Sequence, residues 1–291
     1  VKDKERGAAA LPGIRFTKMQ GIGNDYVYVN LFEEKVPDPV RLSIAVSDRH
    51  FGIGADGLIL IGPAKGADVS MRIFNADGSE AQMCGNGIRC VAKYAREHGL
   101  AKSDEVSVAT NAGVKSVRVF MEGGKVVHAR VNMGVPRLLR REIPMAGPAG
   151  ERCIDAPLEA AGARFKVTAV SMGNPHCVIF TDDVGAIPLL TYGPAIERHP
   201  AFPERTNVHF VQVNNRGDVT MRTWERGSGI TLACGTGASA VCVAGALTGR
   251  TERAIRAHLP GGDLDLEWAQ NDDVFMTGAA TESFTGVWPT A

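Results

Sequence analysis

The chain of 291 residues is long enough for one large domain or two ordinary ones with a sizeable buried core. Lys plus Arg and Asp plus Glu each number 32, so the formal net charge is zero, no basic face is implied, and nucleic acid is not an expected partner. The longest apolar stretch, Ala238 to Leu247, is too short to cross a bilayer, and the six cysteines show neither Cys-x-x-Cys nor zinc-ligand spacing with histidine, so they read as free thiols of a reducing compartment with no metal expected.

The first 13 residues, charged and then rich in Ala, Gly and Pro, are expected to form a loose tail. Ile14–Met19 reads as a strand, Gly23-Asn24 as a turn and Tyr26–Leu31 as a second strand. Leu42–Arg49 reads as helical and Leu58–Ile61 as a strand. Between them Gly52–Gly57 spells a literal G-x-G-x-x-G. The dinucleotide loop needs a strand before it and a helix after it; here the order is reversed, so the stretch is read as a helix-to-strand turn. Cys84-Gly85-Asn86-Gly87 then leads into a helix over Gly87–His98, stopped by Gly99. Lys115–Val131 alternates as strands do, and the alternation ends near Asn132–Pro136, where a domain boundary is expected. Phe165–Val170, the turn at Gly173-Asn174 and Cys177–Thr181 repeat the opening pattern. Cys234-Gly235-Thr236-Gly237 leads into a helix over Gly237–Thr248, stopped by Gly249. Ser283–Val287 is the last strand-like piece, free to return to either domain.

The second half repeats the first at a constant offset of 150 residues, Cys84 to Cys234. The same shift carries Gly23-Asn24 to Gly173-Asn174, Arg72 to Arg222, Asn75 to Glu225 and Gly99 to Gly249. The second helix is apolar on nearly every face and must be surrounded. The fold expected is α/β of the α+β type. It has two pseudo-symmetric domains, each a curved, mainly antiparallel sheet wrapped around a central helix, with the active site in the cleft between them. The limits are 14–134 for the first domain and 135–279 for the second, with 280–291 left open as an addition to the first.

A lone cysteine is usually a small buried hydrophobe. Cys84 and Cys234 differ, because each precedes Gly-x-Gly at a helix N-terminus. Orphan N–H groups there favour a thiolate and lower its pKa. They also bind anions such as a carboxylate, and glycine lets the backbone approach a ligand closely. Two such loops facing each other suit the inversion of a carbon stereocentre: one thiolate removes a proton from one face and a thiol delivers one to the other. Cys90, Cys153, Cys177 and Cys242 read as packing residues.

Glu225-Arg226 stands at the repeat equivalent of Asn75. Facing a shared cleft, this pair suits the ammonium and carboxylate of an amino acid. Asn24, Asn174 and Asn207 sit in turn contexts, where asparagine commonly serves local backbone bonds. His176, beside the repeated turn, is open between packing and function. Two further readings remain at this point: a proline-type racemase, and a non-catalytic ligand-binding or thiol redox protein. The polar set weighs against the first, since a small proline would leave it unpaired. The lack of Cys-x-x-Cys weighs against the second.

Five ordered blocks carry a family resemblance: Gly21 to Tyr26; RIFNADGSEAQMCGNGIRC from Arg72; SMGNPHC from Ser171; Thr206-Asn207-Val208; and ERGSGITLACGTGA from Glu225. Over about Phe16 to Gly286 the chain resembles the diaminopimelate epimerases. Related proline and hydroxyproline racemases usually carry His after the first Cys-Gly, where this chain has Asn86. The resemblance implies a cofactor-independent enzyme that interconverts LL- and meso-diaminopimelate, in lysine and peptidoglycan precursor synthesis, and often a homodimer. It implies Cys84 and Cys234 as the two bases, and Gly85-Asn86 and Gly235-Thr236 as the cradle of the reacting carboxylate. Asn24, Asn75, Asn174, Asn207 and Arg226 would bind substrate, Glu225 would grip an ammonium, and His176 and Glu225 would tune the thiols. Two positions depart: Gly57 stands where some members place a substrate-contacting Gln, and Phe284 where some place a Tyr at the dimer contact. The expected home is cytoplasmic, or a plastid stroma after loss of a transit peptide.

Overall fold

The computed structural model describes residues 13–289. The expected tail lies outside the described residues except for Gly13, which opens the first strand. The first half runs β1 (Gly13–Gly21), β2 (Asn24–Asn30), α1 (Pro39–Ser47), β3 (Gly57–Gly62), β4 (Val69–Asn75), β5 (Glu80–Ala81), α2 (Gly85–Glu97), β6 (Glu105–Thr110), β7 (Gly113–Glu122) and β8 (Lys125–Gly134). The second runs β9 (Ala156–Ala160), β10 (Ala163–Ser171), β11 (Pro175–Phe180), α3 (Leu189–Glu197), β12 (Asn207–Asn215), β13 (Asp218–Glu225), β14 (Gly229–Thr231), α4 (Gly235–Leu247), β15 (Ala254–Leu259), β16 (Gly262–Trp268) and β17 (Val274–Ala279). A last strand, β18 (Thr281–Pro289), closes the chain.

The two halves share one pairing scheme. In the first, β2 pairs parallel with β3 and β4 with β6, and the remaining neighbours are antiparallel. In the second, β11–β12 and β13–β15 are the parallel pairs. Parallel neighbours need a crossover, and a helix supplies each one. α1 and α3 cross on one face of their sheets, α2 and α4 on the other. β8 pairs with β17 and joins the halves into one ladder. β18 lies beside β1 as β9 lies beside β10, so the final strand returns to the first half.

Burial follows from this layering. β3 is buried at every position because both faces are covered. Leu58 and Leu60 pack toward α1 with Val46, while Ile59 and Ile61 join the main core with Ile88 of α2. That core also holds α4, which is buried from Gly237 to Gly245, as its all-round apolar sequence requires. The G-x-G-x-x-G stretch is the turn from α1 to β3, in agreement with the reversed order read from the sequence. α1 starts earlier than its apolar pattern suggested, because Asp38 caps it by accepting the Arg41 N–H at 3.0 Å and Pro39 takes its first turn.

Candidate active site

Both motif cysteines are helix caps. Cys84 (φ −138°, ψ 116°) and Cys234 (φ −129°, ψ 100°) are extended residues placed directly before α2 and α4. The helices therefore begin two residues earlier than expected, and each Gly-x-Gly forms a first turn whose N–H groups have no intrahelical partner. Gly87 N–H donates to Cys84 Sγ at 3.3 Å. Cys234 has no such cap bond; its sulfur lies 3.7 Å from Thr236 Oγ1.

The two first turns meet around Met276. A Cβ on Gly85 would lie 2.9 Å from Met276 Cε, and one on Gly235 would lie 3.0 Å from Met276 Sδ and 3.4 Å from Asn86 Oδ1. Glycine is what allows the N-termini of α2 and α4 to approach this closely. The cleft between the halves thus has a Cys-Gly turn on each side.

The helix ends alone do not make the thiols acidic. Burial pushes Cys84 up, against the Gly87 and Asn86 N–H groups and the Arg89 charge; Glu225 adds to the rise. Cys234 goes up further, first through burial and then through the adjacent Glu225. This corrects the expectation of lowered pKa values. Helix-end stabilisation of about 0.3–2 kcal/mol is outweighed by desolvation of the charged form. Glu225 itself is pushed up by burial, and its Oε1 accepts from Thr231 Oγ1 at 2.6 Å.

A single file of hydrogen bonds backs Cys234. His176 Nε2 lies 2.9 Å from Asn174 Oδ1, which as an amide oxygen only accepts, so Nε2 carries the proton. His176 Nδ1 must then accept, and His209 Nε2, 2.9 Å away, donates to it. His209 Nδ1 in turn accepts from Thr223 Oγ1 at 3.0 Å. At the other end Asn174 Nδ2 donates to Thr236 Oγ1 at 3.4 Å, beside Cys234. Both rings are fully buried and are kept neutral by burial, His209 down to about 3 and His176 well below its ordinary value.

Asn24 serves Cys84. Its Oδ1 accepts from Cys84 Sγ at 3.5 Å, and its Nδ2 donates to Asp56 Oδ2 at 2.7 Å. Asn207 Oδ1 accepts the Arg226 N–H at 2.9 Å, and its Nδ2 donates to the Pro175 carbonyl at 2.9 Å. The exposed Arg226 side chain reaches the Glu204 carbonyl at 2.9 Å and lines a cavity of about 500 Å³ shared with Arg137, Arg141 and Glu142. Asn75 ends β4 opposite Gly57 and donates to Ser79 Oγ at 3.0 Å; no bond ties it to the other site residues. Gly57 has no room for a side chain, since a Cβ there would lie 2.1 Å from the Phe74 carbonyl oxygen.

Sequence reasoning missed His209, Asp56, Thr223 and Thr231. His209 was within reach, since it lies two residues after Asn207 on the same face of β12. His176, His209 and Cys234 also offer ligand atoms within 4.8 Å of one another, a grouping that sequence spacing does not reveal. The histidine nitrogens are already spent on the file described above. Cys90 and Cys242 sit inside the two helices with pKa values pushed up to about 11 and about 12 by burial, and all six cysteines are free thiols.

Comparison with known proteins shows the family. The chain matches the family described as Diaminopimelate epimerase over residues 16–139 and 168–282. The diaminopimelate epimerases of Pelotomaculum thermopropionicum and Moorella thermoacetica are each 55% identical over 278 residues, covering 95% of this chain and 99% of theirs. Among solved structures, a probable proline racemase from Agrobacterium radiobacter has the same fold, with TM-score 0.68, 16% identity and coverage of 96% of this chain and 93% of that one. A PhzF-family protein of Bacillus anthracis has TM-score 0.69, 14% identity and coverage of 95% and 99%. With both halves matched and the relatives aligned almost end to end, the chain belongs to the diaminopimelate epimerase family.

Proposed function

We propose that the chain interconverts LL- and meso-diaminopimelate by transferring protons at one α-carbon between Cys84 and Cys234. One observation carries the reading: two capping cysteines on helices that meet N-terminus to N-terminus across the cleft. A thiolate takes the α-proton and becomes a thiol. The electron pair left on carbon spreads into the carboxylate. The N–H groups of Gly85-Asn86 and Gly235-Thr236 hold that carboxylate and its growing charge. The opposite thiol gives its proton to the other face and becomes the thiolate. The two cysteines then stand in exchanged states, ready for the reverse reaction, and the thiols carry both proton transfers without a cofactor.

Asn24, Asn75, Asn174, Asn207 and Arg226 bind the substrate, and Glu225 grips an ammonium. His176 and Glu225 set the environment of the thiols. A substrate with two amino-acid ends offers this polar set an ammonium and a carboxylate at each end, whereas a proline offers one of each. Residues 14–134 with 280–291 form one domain of this reading and 135–279 the other. The protein acts as a cytoplasmic homodimer; support comes from six free thiols and from β18, which among the described residues pairs on one edge with β1 alone and whose Phe284 is half exposed beside Phe16. Replacing Phe284 by Asp is expected to yield monomers in sedimentation, and an unchanged mass would remove that contact. Cys84→Ala and Cys234→Ala test the mechanism. Each is expected to lose at least ~10²-fold in kcat, and near-normal turnover in either would overturn it.

A further inference from the structure

Arg89 is a fully buried guanidinium on α2. Its Nη1 donates to the Gly85 carbonyl at 3.2 Å and to Asn86 Oδ1 at 3.0 Å, with Met276 Sδ at 3.6 Å, and its Nε reaches the Ala279 carbonyl at 3.4 Å. Nη2 is buried with no hydrogen-bond partner among the described residues. Among the described residues no carboxylate forms an ion pair with it. Two glycines make room for it: a Cβ on Gly21 would lie 3.1 Å from Nη2, and one on Gly278 would lie 3.3 Å from Cζ. A buried cation without an anion is costly, and the usual remedy is a partner charge.

The second half shows what Arg89 adds. Its repeat equivalent, 150 residues on, is Ser239, whose Oγ donates to the Gly235 carbonyl at 2.9 Å. Both residues satisfy the same carbonyl of the first helical turn, and serine does so without a charge. The hydrogen bond alone does not require arginine. The halves also differ in sign: Arg89 belongs to the Cys84 side, while Glu225 lies against Cys234.

We propose that Arg89 is the fixed counter-charge of the site, a positioning residue that holds the resting thiolate at Cys84 and leaves the proton on Cys234. The inference rests on the two-thiol reading above. The groups acting on Cys84 are Arg89 on its own helix, Cys90 one residue further on, Tyr26 and Tyr28 on β2, and Glu225 on β13. Of these, only Arg89 is a cation. Cys90 is not the anion, since burial pushes it up to about 11 and it lacks the N-terminal N–H groups that Cys84 has. Around Cys234 stand Glu225 and two histidines that burial keeps neutral.

The test is alkylation by iodoacetamide across pH, quantified separately for the Cys84 and Cys234 peptides, in the wild type, Arg89→Gln and Arg89→Lys. The midpoint for Cys84 is expected below that for Cys234. Arg89→Gln is expected to raise the Cys84 midpoint by about one pH unit or more, and Arg89→Lys to keep most of the wild-type value. The acid limb of kcat/KM should move with the Cys84 midpoint. A Cys84 midpoint at or above that of Cys234 overturns the proposal, as does an unmoved midpoint in folded Arg89→Gln. Should Arg89→Gln fail to fold, the wild-type order and Arg89→Lys decide. Failure of the two-thiol reading would appear instead as turnover surviving in the Cys84→Ala or Cys234→Ala enzyme.

Discussion

His176 Nδ1 and His209 Nε2 lie 2.9 Å apart, both rings buried, and the bond between them has one direction. Because His209 must donate, replacing it leaves His176 Nδ1 an unfilled buried acceptor. His209→Ala is therefore expected to cost about 1–3 kcal/mol for the unmade bond, plus a cavity contribution. It should also lower kcat/KM through loosened Asn174 and Thr236. Chemical denaturation with paired kinetics checks this. Unchanged values for both would remove the file of bonds from the account.

The same ring fixes a glycine. A Cβ on Gly237 would lie 2.3 Å from His209 Cε1. Gly237→Ala must displace the imidazole or the start of α4, at a cost of about 1–3 kcal/mol. A thermal melt equal to wild type would contradict this packing.

The buried histidines also set an acid response. Their folded-state pKa values are depressed, so the unfolded chain binds more protons below its ordinary histidine pKa. Their stabilisation is complete above about pH 6.5. It is lost as pH falls from there toward about 3 for His209. The slope approaches about 1.4 kcal/mol per pH unit for each group. Denaturation midpoints measured between pH 8 and 5 should fall on the acid side, and His209→Gln should flatten part of that fall.

Glu225 raises Cys234 through its charge. Glu225→Gln should lower the alkylation midpoint of Cys234 and narrow its gap from Cys84, while also weakening substrate binding. A Cys234 midpoint that stays fixed or rises would show that Glu225 does not act on this thiol electrostatically.

Much of this architecture was legible because the chain states it twice. The offset of 150 that links Cys84 to Cys234 also links the start of α1 at Pro39 to that of α3 at Leu189. Even so, α3 escaped direct reading. Gly193 and Pro194 argue against a helix, and packing overrides them: a Cβ on Gly193 would strike the Trp224 ring at 2.6 Å, and Trp224 Nε1 donates to Glu197 Oε2 at 2.7 Å. The return of β18 to β1 was left open because strand pairing across the length of the chain has no local signal. Arg89 carries no sign of burial in its own segment, because β1 at Gly21 and β17 at Gly278, far from it in sequence, are what enclose it. The acidity of the thiols was misjudged for a related reason: a helix terminus is visible in sequence, but the desolvation that outweighs it depends on what covers the cleft.

The most direct test of the central claim is incubation with LL-diaminopimelate in deuterated water, following configuration and label at the α-carbon from the earliest turnover. Two-thiol inversion predicts meso product carrying one solvent deuterium while the remaining LL substrate stays unlabelled. Product that retains its original hydrogen, or LL substrate that gains deuterium as fast as it inverts, would contradict it.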